Sequence, residues 1–133
     1  MRTGDNPRWV IDGNNVFGSR PDGWWNDRAG AAFRFTQCVA EWCRTHDDEV
    51  VIVFDAPVLA ETMALTGGNL MVVEATRRGR DAADDEIVTI LDRLDPAQLE
   101  VTIVVTSDRG LRSRLPSIVE VSGSGRFRRL IGY

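Results

Sequence analysis

Val50-Val51-Ile52-Val53-Phe54 is an unbroken apolar run, and a strand made of it has no face fit for water. Such a strand must be covered on both sides, the condition of a parallel sheet packed between two layers of helices. Trp9-Val10-Ile11 and Val101-Thr102-Ile103-Val104-Val105 share that character, and Leu70 to Val73 and Ile118 to Val121 read as further strands. Between them the spacing turns helical. Ala32, Phe35, Val39, Trp42 and Cys43 step by three and four through a helix expected over Asn26–Thr45. A second helix is expected over Asp81–Leu94, closed by Asp95-Pro96, and a short helix or turn over Asp108–Leu115. Met1 to Arg8 reads as a polar lead-in, Ala56 to Asn69 has no clear pattern, and the tail Gly123–Leu130 is too short to assign. The alternation predicts an α/β protein, a three-layer α/β/α sandwich around a central parallel sheet of about five strands. A chain of 133 residues has room for one domain with a real core and not for two, so residues 1–133 are read as a single domain.

Three of the apolar runs lead into an aspartate: Asp12, Asp55 and Asp108. In a parallel sheet these side chains emerge together at the carboxyl edge, where open α/β sheets bind ligands. Aspartate is also common at strand ends because it bonds turn amides. A fourth acid is harder to assign to turns. On a helical wheel Ala83, Ile87, Ile90, Leu91 and Leu94 form one stripe, and Asp84 falls inside its edge. Asp84 could favour the helix N-terminus electrostatically, but Asp81 is placed to cap that helix without putting a second charge near the core. Asp85 points about 100° away, and either reaches a metal through water or is a solvated helix residue. Carboxylates crowded at one edge repel unless something positive lies between them, and a divalent metal is the usual solution.

Composition narrows the chemistry. All 16 basic residues are arginine. Without lysine there is no P-loop lysine, no Schiff base, and none of the lysine that phosphoryl-aspartate receivers and haloacid-dehalogenase-type phosphatases require. His46, the one histidine, sits at a helix end where a positive imidazole is favoured, so a serine or cysteine triad has little to stand on. Cys38 and Cys43 match no zinc or redox spacing and read as reduced core thiols. With few nitrogen or sulfur ligands the metal should be hard and oxygen-bound, Mg²⁺ or Mn²⁺.

The net charge is −4, from 20 acidic and 16 basic residues, and a cluster of four carboxylates would account for the whole excess. Arginines nevertheless flank the acids: Arg77, Arg78 and Arg80 before the acidic helix, Arg109 and Arg112 after Asp108. Guanidinium forks suit phosphodiester oxygens. Arg126, Arg128 and Arg129 form a third group in the tail, and Trp24-Trp25 reads as helix packing. No stretch approaches the roughly 20 apolar residues that cross a bilayer and no signal peptide opens the chain, so a cytoplasmic protein with no membrane partner is expected.

Ile11-Asp12-Gly13-Asn14-Asn15-Val16, Val53-Phe54-Asp55-Ala56, Ala83-Asp84-Asp85-Glu86-Ile87 and Val105-Thr106-Ser107-Asp108-Arg109, in that order, resemble the bacterial NYN domains of the YacP-like type, a branch of the PIN-like nucleases. The resemblance runs from Trp9 to Leu130. It implies a PIN-like strand order 3-2-1-4-5 and a metal-dependent endoribonuclease that hydrolyses RNA phosphodiester bonds. It implies catalytic, metal-binding acids at Asp12, Asp84 and Asp108, with Asp85 matching a double aspartate of many relatives and Asp55 matching the YacP-like branch. It also implies a polar partner at Asn15, which either holds Asp12 or touches the RNA backbone. Many PIN-like nucleases carry a further acid where this chain has Arg112, so a second metal is not implied. The rival function is a catalytically weak or inactive RNA-binding or partner-binding module of the same fold. With few arginines and no stacking platform, selectivity is expected from RNA shape or from a partner such as a ribosome or RNA-processing assembly.

Overall fold

The computed structural model describes residues 6–79 and 81–133; Arg80 and the first five residues of the expected lead-in lie outside the described residues. Five parallel strands form one sheet in the order β3-β2-β1-β4-β5, the expected 3-2-1-4-5. They are β1 (Arg8–Asp12), β2 (Glu49–Phe54), β3 (Leu70–Glu74), β4 (Thr102–Val105) and β5 (Glu120–Ser122). Arg8 is therefore part of the central strand and not of the lead-in. β1 is paired on both sides, Trp9 standing opposite Val50 of β2 and Ile103 of β4.

The strand pleat divides the core in two. Trp9 and Ile11 of β1 with Val50, Ile52 and Phe54 of β2 pack on Phe17, Phe35, Val39 and Phe127. Those partners come from α1 (Gly13–Gly18), α2 (Arg28–Cys43) and α7 (Ser124–Ile131). Val10, Val53 and Val104 face the other way, against Ala83, Ile87 and Leu91 of α4 (Ala82–Asp92) and Leu111 of α6 (Arg109–Arg112). This is why the runs lack polar alternation: both faces of the central strands are buried.

Several boundaries differ from the sequence reading, each for a local reason. α2 begins at Arg28 because Asp27 caps it, accepting from Gly30 N–H at 3.0 Å; Trp24–Asn26 forms a separate 3₁₀ turn. Asp95-Pro96 does not merely close α4. Asp95 and Gln98 make a capping box, with Pro96 in the first turn, and open a further helix α5 (Pro96–Glu100). The patternless stretch holds a short helix α3 (Ala60–Met63), and the unassigned tail is α7, anchored by fully buried Phe127. β5 starts two residues late because Val119 N–H closes a turn onto the Pro116 carbonyl.

Gly13 follows Asp12 because α1 starts against the sheet itself. A Cβ there would meet the ring of Phe54 and the Ile52 side chain, so the residue after the first aspartate has to be glycine. No helix among the described residues is long and apolar enough to cross a membrane.

Candidate active site

Asp12 ends β1, Asp55 follows β2 and Asp108 follows β4; because the strands are parallel, all three leave the sheet at its carboxyl edge. α4 brings Asp84 to the same edge. Together with Asn14, Asn15, Asp81 and Ala83 these side chains line a pocket of about 260 Å³.

Asp12 is the deepest, only 4% exposed. Burial pushes its carboxyl up to about 7; the Thr106 hydroxyl opposes the shift, and the charges of Asp84 and Asp108 add to it. Asp84 is pushed up to about 6, first by burial and then by Asp108 and Asp81, with Arg114 in opposition. The acids are thus close enough to feel one another's charge.

Each carboxylate is held differently. Fully buried Thr106 donates from Oγ1 to Asp12 Oδ2 at 2.8 Å and accepts the Asp108 backbone N–H at 3.0 Å, so one hydroxyl positions two of the acids. Asp108 caps α6, accepting from Leu111 N–H at 3.1 Å through Oδ1. Asp55 Oδ1 accepts from Ala83 N–H at 3.0 Å, and its own N–H donates to Asn14 Oδ1 at 2.8 Å. Asp55 therefore pins α4 to the end of β2. It does the work expected of Asp81, which occupies the cap position with a positive φ of 64° but makes no side-chain cap bond. Asp84 makes no side-chain hydrogen bond among the described residues.

Asn15 does not donate to the Asp12 carboxylate through its side chain. Its Oδ1 accepts from Ser107 N–H at 2.8 Å and Ser124 Oγ at 2.6 Å, tying α1 to the β4 end and to α7; its side-chain amino group has no partner among the described residues. Asp85 stays outside the acidic pocket, clamped between Arg77 and Arg114, each at 2.9 Å. Arg78, Arg109 and Arg112 are exposed. Thr106, Ser107, Ser124 and Arg114 escaped the sequence reading as site residues. Thr106 and Ser107 stand within the motif ending at Asp108, which was the available signal; Ser124 and Arg114 carry none.

The excluded chemistry sits elsewhere. His46 stacks on Trp42 at 3.8 Å between the end of α2 and the start of β2, which is the opposite edge of the sheet. Both cysteines are free, and burial pushes the Cys43 thiol up to about 11. Trp24 packs edge-on to Phe17, whereas Trp25 is 59% exposed, contrary to its expected packing role.

The donor set tests whether a metal suits this edge. It is all oxygen, anionic and self-repelling, as a hard divalent cation requires. Among the described residues no group of three His, Cys, Asp or Glu side chains is arranged to hold an ion as it stands. The chemistry of the donors fits such an ion.

No family model and no curated protein matches the chain. Two crystal structures of Rae1 (YacP) from Bacillus subtilis are similar. One, of a tryptophan-to-leucine mutant, has a TM-score of 0.74 at 21% identity and covers 95% of this chain and 75% of that one. The other has a TM-score of 0.69 at 21% identity, covering 93% of this chain and 72% of that one. The chain has the fold of these proteins.

Proposed function

We propose that the chain is a YacP-like, PIN-like nuclease domain that hydrolyses RNA phosphodiester bonds with Mg²⁺ or Mn²⁺, residues 1–133 acting as one unit. The observation that carries this reading is the mutually repelling set of buried Asp12 and half-buried Asp84 and Asp108 around one pocket, with the carboxyls of Asp12 and Asp84 displaced to about 7 and about 6. Perturbed acids converging in a cleft at a strand edge are what such chemistry needs.

Asp12, Asp84 and Asp108 would hold the cation. When bound, it supplies positive charge to the scissile phosphate and lowers the pKa of an attacking water. The chain's own groups do the rest. Thr106 fixes Asp12 through Oδ2, and the Asn15 backbone N–H also bears on that carboxylate; Asp108 is fixed through Oδ1 and keeps Oδ2. Asp84, with neither oxygen hydrogen-bonded among the described residues, is the acid best placed to take a proton from water. The Asn15 amino group is placed to touch the RNA backbone, and Arg78, Arg109 and Arg112 to meet neighbouring phosphates. Arg80 joins that group by sequence. A ribosome or RNA-processing assembly remains the proposed source of selectivity.

The test is cleavage of end-labelled RNA with Mn²⁺, with EDTA and Asp12→Asn as controls. Internal cuts that need Mn²⁺ and fall at least about 100-fold in Asp12→Asn are expected. RNA binding without Mn²⁺-dependent cuts would favour the rival, an RNA-binding or partner-binding module that has lost turnover.

A further inference from the structure

Beside the acidic pocket, and sharing Asn14 and Asp55 with it, lies a second cavity of about 240 Å³, formed where the first turns of α2 face the Phe54–Leu59 segment. Its wall is apolar: Ala29 and Ala32 on one side, Phe54, Pro57, Val58 and Leu59 on the other. Its rim is polar and of both signs. Asn14 spends Oδ1 on the Asp55 N–H and keeps its amino group; Asp55 spends Oδ1 on the Ala83 N–H and keeps Oδ2. Arg28 lines the mouth, over the face of Trp24 at 5.3 Å, and forms no ion pair among the described residues.

We propose that this cavity is a nucleobase subsite, which takes the base of the nucleotide adjoining the phosphate held at the acidic pocket. The proposal rests on the nuclease reading for its register on the strand. A polynucleotide with a phosphate among the acids must place the neighbouring base within one sugar's reach, and the two cavities share a wall. At about 240 Å³ the cavity lies below the roughly 300–1,000 Å³ of drug-sized sites, which suits a single ring system and not a whole nucleotide. A base has apolar faces and an edge carrying donors and acceptors. The cavity answers both, with aliphatic walls for the faces, the Asn14 amino group and Asp55 Oδ2 for the edge, and the Arg28 guanidinium for the flanking phosphate or for stacking. Asp55 thereby has a role at the substrate that does not require it to ligate metal.

Two measurements test this. The first is NMR titration of the whole chain with nucleoside 5′-monophosphates, and with ribose 5-phosphate as the probe that lacks a base, in metal-free buffer. The monophosphates should shift the Ala29, Ala32 and Val58 resonances and bind about tenfold tighter than ribose 5-phosphate. Ala29→Leu, a change at an exposed residue that spares the fold, and Ala32→Leu, which fills the cavity more deeply, should each abolish the difference. The second is cleavage of RNA carrying one abasic residue beside the cut bond. It should be about tenfold slower for the wild-type chain and indifferent to the abasic residue in Ala29→Leu. Equal binding of both probes, or base-dependent binding that survives both substitutions, overturns the subsite. Base-dependent shifts without any RNA cleavage would keep the subsite and discard the nuclease reading; cleavage indifferent to the abasic residue would do the reverse.

Discussion

At the scale of single residues, Asp12 is where stability and chemistry conflict. Its carboxyl sits at about 7 in the folded chain against an ordinary 3.8, so between those values the folded state holds a proton that the unfolded chain has released. Stability from this group is therefore full below about pH 4 and is lost as pH rises towards 7, reaching a plateau above it. A shift of that size corresponds to about 4 kcal/mol at most, shared with the acids coupled to Asp12. Asn in its place keeps an oxygen for the Thr106 hydroxyl and removes the charge. In EDTA, Asp12→Asn should melt several degrees above the wild-type chain at pH 8, by a smaller margin at pH 5, and close to it only below about pH 4. Mn²⁺ should raise the wild-type midpoint at pH 8 and leave the variant nearly unmoved, because an ion that binds the folded state stabilises it. A gap of constant size from pH 5 to 8, read by thermal denaturation, would show that Asp12 is held by hydrogen bonds and not opposed by charge. The same logic applies more weakly to Asp84, which is partly exposed and eased by Arg114.

At the scale of elements, the acidic helix is positioned from a distance. Asp55 accepts the Ala83 N–H from the end of β2, fastening the first turn of α4 to the sheet edge. Asp55→Ala should cost about 1 kcal/mol in urea denaturation, as the loss of a helix cap does, whereas Asp55→Asn should recover most of it. Equal losses in the two would mean that charge, and not the cap, is what Asp55 contributes. This bond also marks where sequence reading stops. The strands and the helices α2 and α4 were legible because apolar runs and three-to-four spacing are local patterns, whereas the strand order came from the family resemblance and the faces that the two helices cover only from the structure. Asp81 looked like the cap because it is adjacent, but its backbone has a positive φ of 64° and its side chain bonds no helix amide. The acceptor that serves lies 28 positions upstream, visible only once β2 and α4 are side by side. The partners of the Asn15 oxygen were equally out of reach of the sequence: Ser107 and Ser124, the latter 109 residues away. Asp95-Pro96, by contrast, was readable and under-read, since Gln98 completes a capping box that opens α5.

At the scale of the molecule, a chain of net charge −4 has to meet a polyanion, and much of its guanidinium near the acids is already engaged. Asp85 holds Arg77 and Arg114, leaving Arg78, Arg109 and Arg112 exposed at the same edge. Three phosphate contacts on single-stranded RNA give a slope of log affinity on log salt of about −2. Raising salt from about 0.05 to about 0.3 M should then weaken binding roughly 40-fold, from an affinity that is modest at the outset. Asp85 is the lever on this. Asp85→Ala removes one negative charge and releases two guanidinium groups beside the acidic pocket, so it should tighten RNA binding at low salt and steepen the slope by about one unit. Anisotropy titration of fluorescent single-stranded RNA against both forms, at the two salt concentrations, reads the effect. Were Asp85 instead part of the metal site, its removal would abolish Mn²⁺-dependent cleavage while the salt slope stayed at its wild-type value. The two exposed ion pairs cost little to break, because surface pairs of this kind contribute under about 1 kcal/mol each. The affinity change can therefore be measured on a folded chain, and the direction of that change says which cation Asp85 is there to hold.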